Sequence, residues 1–169
     1  MNSVKNFLPI ESRKILYYSF FQTHLNHGII LWGPNTSAWH INKITNLQKR
    51  AIRIVKNVGY RDHTKLLFKD LAILEINDLI DLEILKLMYG IAYEKVPQPV
   101  QNIFVSDVSH DYQTRQRNNP QFVDSRNYPD IIRSFICKGP SLWSVLDNKI
   151  KQSPSYNSFC RSFKRTVFT

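Results

Sequence analysis

A mostly α-helical fold is predicted for this chain by three features of its sequence. Apolar residues recur at helical rather than alternating spacing over most of the length, helix-stopping pairs such as Gly33-Pro34 separate the periodic segments, and one stretch, Val105 to Asp130, is polar and aperiodic. The expected architecture is a helical bundle, a long polar loop and a small C-terminal helical part. With 169 residues, 43% of them hydrophobic, there is material for one domain or a small two-lobed unit with a true core.

The elements follow in order. Pro9 suits a first helical position, and IESRKILYYSFFQTHL after it reads as a helix. Its Ile15, Leu16, Tyr17, Tyr18, Phe20 and Phe21 are apolar nearly all round, so this helix is expected to be enclosed. Ile29, Ile30, Leu31 and Trp32 continue the apolar run until Gly33-Pro34 stops it, giving a helical region of about 10–32.

The segment 37–57 carries the clearest physical signal, with Thr36 or Ser37 as N-cap and Gly59 just beyond its end. At about 100° per residue, Ile41, Ile44, Leu47, Ala51, Ile52, Ile54, Val55 and Val58 share one arc of roughly 160°. Lys43, Lys49, Arg50, Arg53 and Lys56 fall on the opposite side, with no acidic residue among them. One face is therefore core and the other a cationic stripe.

A short helix about 64–70 and a long one about 78–94 come next, the latter with Asp78 as N-cap. Leu79, Ile80, Leu82, Ile84, Leu85, Leu87, Met88 and Ile91 cover most of its circumference, leaving a narrow polar strip at Glu83, Lys86 and Gly90. It is expected to be the central helix. Pro97 and Pro99 then interrupt the chain, and the polar stretch places Arg115, Arg117 and Arg126, with Arg133 following, among Tyr112, Phe122 and Tyr128. That mixture suits backbone and base contacts to nucleic acid, and a solvated loop with a few anchoring aromatics is the plainer alternative. Ile131–Cys137 leans towards a strand, Gly139-Pro140 opens a helix through Leu142, Trp143, Val145 and Leu146, and Ser153-Pro154 caps the last helix. In that helix Tyr156, Phe159, Phe163 and Val167 line one face and Arg161, Lys164 and Arg165 another; Trp143, Phe159 and Phe163 are expected to pack on the first lobe. The division expected is 1–96, 97–138 and 139–169.

Lysine and arginine number 23 against 13 acidic residues, a net charge of +10. Residues 1–60 hold +7, 61–96 hold −2 and 97–169 hold +5, so both ends are basic. Such an excess points to a polyanion or an acidic partner. No apolar run reaches the roughly 18 residues of a membrane span. The start MNSVKNFLPIES lacks the basic and apolar regions of a secretory signal, so a nuclear or cytoplasmic, non-secreted protein is expected. Cys137 and Cys160 form no CxxC pair, and His24 and His27 have no cysteine or acidic pair nearby, so neither a disulfide framework nor a metal site is expected. There is no Gly-rich phosphate loop, GxSxG or HExxH.

The blocks HLNHGIILWG (24–33), LQKRAIRIV (47–55), YRDHTKLLFKDLAILEINDL (60–79), HDYQTR (110–115) and GPSLWSVLDNKIK (139–151), followed by Phe159 to Lys164, form an ordered set. Together they resemble the C-terminal region of reverse transcriptases from non-LTR (LINE-type, jockey-like) retrotransposons, over about residues 8–167. The chain departs from that family at His27, where Tyr is frequent, and at Asp147, where Pro is frequent. The resemblance implies a thumb-like helical bundle with a C-terminal extension, whose role is to hold the template–primer duplex, RNA–DNA or DNA, during reverse transcription. The parent RNA-directed DNA polymerase would use paired palm aspartates to hold divalent ions such as magnesium. No Asp-Asp pair occurs in this chain, so it is expected to have no cofactor and not to polymerise by itself.

The function expected is sequence-independent binding of a nucleic-acid backbone through Lys49, Arg50, Arg53 and Lys56, with Arg115 and Arg117 as second candidates. Two alternatives stand beside it: a helical protein–protein module whose basic faces meet an acidic partner, and the open reading frame of a decayed element copy with no cellular role.

Overall fold

The computed structural model describes residues 6–102, 104–105, 121–122 and 130–168. Extended backbone at Pro9 (φ −64°, ψ 159°) leads into α1 (Ile10–Leu16), so the proline stands just before the helix rather than at its first position. Regular winding gives way at Tyr17–Gln22 to a π-helical stretch, and α2 (Thr23–Asn26) completes the segment. The expectation of a fully enclosed helix fails here. A π-turn holds one residue more than an α-turn; within it Tyr17 and Phe21, four positions apart, share one face with ring centroids 5.4 Å apart. Tyr17 and Leu25 are buried on that side, while Ile15 and Phe20 are each 65% exposed. Gly28 then takes a φ of 62°, the left-handed region glycine enters without Cβ strain, and α3 (Ile29–Trp32) follows.

In α4 (Ala38–Lys56), Ser37 is the N-cap residue, and the chain leaves the helix through Asn57 at φ 55°. Asparagine, not Gly59, thus supplies the left-handed residue, which its short amide side chain tolerates. The buried face is also rotated from the one the apolar arc suggested. Gln48, Ala51, Ile52 and Val55 are buried, whereas Leu47 is 52% exposed. A polar residue is stable at this centre because the Gln48 amide donates to the Leu74 carbonyl (2.9 Å) and to the Tyr17 hydroxyl oxygen (3.1 Å). Arg13 Nη1 donates to the Ile54 carbonyl at 3.2 Å, tying α1 to the last turn of α4.

A turn leads to α5 (Lys65–Leu71), which ends on Ala72 at φ 53°. Phe68, Leu71 and Ile73 join Tyr17, Ala51, Ile52 and Val55 in one core, with Ile10, Phe21 and Leu67 packed at its margin. Each large aliphatic side chain fully buried in such a core contributes roughly 1.5–3 kcal/mol. The Glu75 carbonyl accepts from Leu79 N–H at 2.9 Å, so α6 (Ile76–Ala92) starts earlier than expected and Asp78 lies in its first turn rather than at the cap. As expected of a central helix, Ile76, Leu79, Ile80, Leu82, Ile84, Leu85, Met88 and Tyr89 are all buried.

The chain forms two compact units. One takes the described residues up to Ile29 together with Thr36–Leu79 and Phe168; the other takes Ile30–Asn35 and the described residues of Ile80–Val167. The boundary falls inside α6. The second unit contains α7 (Gln98–Gln101) and two short antiparallel strands, β1 (Phe104–Val105) and β2 (Gln121–Phe122), with Phe104 opposite Phe122. It continues through α8 (Asp130–Val145), α9 (Asn148–Lys151) and α10 (Tyr156–Phe168), the last reaching into Phe168.

Ile131–Cys137 is helical and not strand-like, and Gly139-Pro140 lies inside α8 instead of opening it. Packing overrides β-propensity here: Ile136, Gly139 and Trp143 recur at helical spacing and are all buried. A Cβ at Gly139 would stand 2.8 Å from Met88 Sδ, so the bare glycine is what lets the two helices approach. Trp143 and Phe159 are buried, with Phe159 4.8 Å from the Tyr89 ring and Tyr89 donating its hydroxyl to the Ser153 carbonyl at 2.8 Å. Ser153 terminates α9, its hydroxyl bonded to the Ile150 carbonyl, and the cap of α10 is instead Ser155, whose Oγ accepts from Ser158 N–H. Asp147, the position where the resembled family has proline, caps α9 by accepting from Lys149 N–H at 3.0 Å. Among the described residues no helix is long and apolar enough to cross a membrane.

Candidate nucleic-acid interface

The side of α4 turned away from its core is a strip set by sequence spacing. Trp39, Lys43, Asn46, Arg50 and Arg53 follow one another at steps of four, three, four and three, which keeps them on one side over nearly the whole helix. All are exposed except Arg53, which is half-buried. Lys43 Nζ sits 3.5 Å from the Trp39 ring centroid, so a cation and an aromatic face are already paired at the N-terminal end of the strip.

At the other end the turn after α4 folds onto it. Asp62 accepts from Gly59 N–H through Oδ2 at 2.7 Å and donates its own N–H to the Gly59 carbonyl at 3.3 Å, closing a tight loop. Arg53 Nε donates to the Asp62 carbonyl at 2.9 Å, which fastens that loop to the helix. Tyr60 is carried at its tip, 76% exposed, with its ring centroid 5.9 Å from the Arg53 guanidinium carbon. Lys43, Asn46, Leu47, Arg50, Arg53 and Tyr60 line one open depression of about 470 Å³.

The structure separates the expected contact residues. Arg50 and Arg53 lie in the depression, and Arg50 makes no ion pair among the described residues. Lys49 is half-buried and not part of the lining. Lys56 is drawn off by Asp70 of α5, Nζ to Oδ2 3.1 Å, so an acid from another element touches the stripe that α4 alone left uninterrupted. Arg115 and Arg117 lie outside the described residues. Lys43, Asn46 and Leu47 were missed as lining residues although the four-three spacing reaches them; Tyr60 has no such signal, because the Asp62 contacts decide where its turn goes.

Elsewhere the chemistry is sparse. Both cysteines are free, and burial pushes the Cys160 thiol above its ordinary value, away from thiolate character. Among the described residues no group of three or more His, Cys, Asp or Glu is placed to hold a metal ion. No protein-family model, curated protein or solved structure matches this chain.

Proposed function

We propose that the chain is the thumb-side, C-terminal region of a non-LTR-type reverse transcriptase, nuclear or cytoplasmic, and that it holds the template–primer by its phosphate backbone. One observation carries the backbone contact: Lys43, Arg50 and Arg53 line a single open depression on a helix anchored by a buried opposite face. Cations fixed on a rigid element meet phosphates at little ordering cost, and each phosphate neutralised releases condensed counterions. Lys49 and Lys56 flank this centre. The ordered sequence blocks support the family reading, and the lack of an Asp-Asp pair fits polymerisation by a palm outside this chain.

The test is duplex binding across a salt series for the wild type and for Lys43→Glu/Arg50→Glu, two exposed positions that hold neither the core nor the Asp62 turn. The wild type is expected to bind with Kd of about 10⁻⁴–10⁻⁶ M near physiological salt, with a log–log salt slope of about −0.9 per contact; the double variant loses about 1.8 from that slope. Unchanged affinity and slope would overturn the reading, and so would magnesium-dependent primer extension by this chain alone. A second reading, a helical module for an acidic protein partner, is favoured by exposed Ile15, Tyr18 and Phe20 in the first unit. Capture of a partner that survives nuclease treatment and is released by Phe20→Glu distinguishes it.

A further inference from the structure

The feature that backbone binding leaves unexplained is Tyr60. Phosphate contact requires cations, and the helix supplies them; it does not require a large aromatic ring held out in solvent. Yet the turn that carries the ring is fastened at three points: Gly59 N–H to Asp62 Oδ2, Asp62 N–H to the Gly59 carbonyl, and Arg53 Nε to the Asp62 carbonyl. Little room is left for change, since a Cβ at Gly59 would lie 3.3 Å from the Asp62 carboxylate. A ring presented this way loses little conformational entropy when something packs on it.

We infer that Tyr60 is a stacking platform for one unpaired nucleobase, with the flanking phosphates falling to Arg50 and Lys43, so that the depression takes a single-stranded segment in preference to a duplex. The inference rests on the nucleic-acid reading above and deepens it. Arg53 lies over the Tyr60 ring at 5.9 Å, yet 76% of the residue remains open to solvent. Beside it are the exposed apolar surface of Leu47 and the Asn46 amide, an acceptor and donor suited to a base edge, in the same depression as the cations. Its volume of about 470 Å³ falls in the range of small-ligand sites, roughly 300–1,000 Å³. A base inside a duplex is stacked on its neighbours and has no free face for Tyr60; an unpaired one has, and every base offers one, so the preference is for strandedness and not for sequence. In the parent enzyme such a platform would hold template that has not yet paired.

The experiment measures anisotropy of the full chain with three labelled probes: oligo-dT of about 12 nucleotides, an abasic oligomer of equal length, and a duplex of equal length. Tyr60→Ala is expected to weaken oligo-dT binding by about 5- to 150-fold, the span for stacking of a single base. It should leave the abasic and duplex probes within about two-fold, and Tyr60→Trp should restore oligo-dT binding. Oligo-dT affinity within about two-fold of wild type in Tyr60→Ala overturns the platform, and if Lys43→Glu/Arg50→Glu still loses binding to all three probes the backbone reading stands without it. Wild-type protein that binds none of the probes overturns both. Displacement of oligo-dT by oligoglutamate of equal charge as effective as by unlabelled oligo-dT also overturns the platform, because an acidic peptide has no base to stack.

Discussion

The two units use their positive charge differently. In the second, Lys86 is 2.7 Å from Glu83, Lys138 is 2.6 Å from Asp81, and Lys95 and Lys151 lie over the rings of Tyr89 and Trp143 at 4.8 and 5.8 Å. In the first, the outer strip of α4 turns Arg50, with no ion pair among the described residues, and Lys43, held over the Trp39 ring at 3.5 Å, to solvent around a depression, and Lys56 beside it meets Asp70. Net charge therefore says little about where a polyanion would sit. What matters is which cations are already satisfied within the fold, and a charge neutralised at home has little left to offer a phosphate.

The cores differ as well, which makes the comparison testable from the largest effect down. The second unit packs rings on rings: Phe159 is fully buried between Tyr89 and Trp143. Phe159→Ala is expected to destabilise the protein by about 3–5 kcal/mol in urea denaturation, because the space left by a ring among rings closes poorly. A cost below about 1 kcal/mol would show that this cluster is not the core it looks like.

The first unit instead encloses a titratable phenol. Burial, opposed by the Gln48 hydrogen bond and reinforced by neighbouring Tyr18, pushes the Tyr17 hydroxyl from its ordinary 10 up to about 12. The folded state favours the neutral phenol, so the stability gained is complete below pH 10 and drains away as the pH climbs towards 12, about 2–3 kcal/mol in all. Tyr17→Phe removes the group, and its denaturation midpoint is expected to fall less steeply over that window. Equal slopes for the two proteins would mean that the phenol is as well solvated folded as unfolded.

The smallest effects concern the satisfied cations themselves. Lys56→Ala breaks an ion pair whose Asp70 side chain is 57% exposed, at an expected cost of about 0–1 kcal/mol. Lys138→Ala and Lys56→Ala should each change the salt slope of duplex binding by less than the roughly 0.9 expected of Arg50→Ala. Equal changes from all three would erase the distinction between satisfied and open cations.

Much of this was legible in the sequence. The helices appeared because their apolar residues repeat with the period of the backbone, and Arg50 and Arg53 were found by the same angular arithmetic. What stayed hidden depended on contacts between distant positions. Gln48 counts as polar until Tyr17 and the Leu74 carbonyl receive its amide, and Ile131–Cys137 looks strand-like until Ile136, Gly139 and Trp143 need one buried face. Cap positions moved by a residue or two, as at Ser155 and Asn57, because several neighbouring residues were chemically able to serve. Tyr60 was invisible for a stronger reason: turns have no period, and this one is shaped by a carboxylate two positions later.

The π-helical stretch at Tyr17–Gln22 makes chain length critical at a place where composition looks forgiving. Inserting one further residue there, beyond the one the π-turn already absorbs, would swing Ile10–Leu16 about 100° around the axis. Arg13 would then lose its grip on the end of α4, with every side chain in the stretch unchanged in kind.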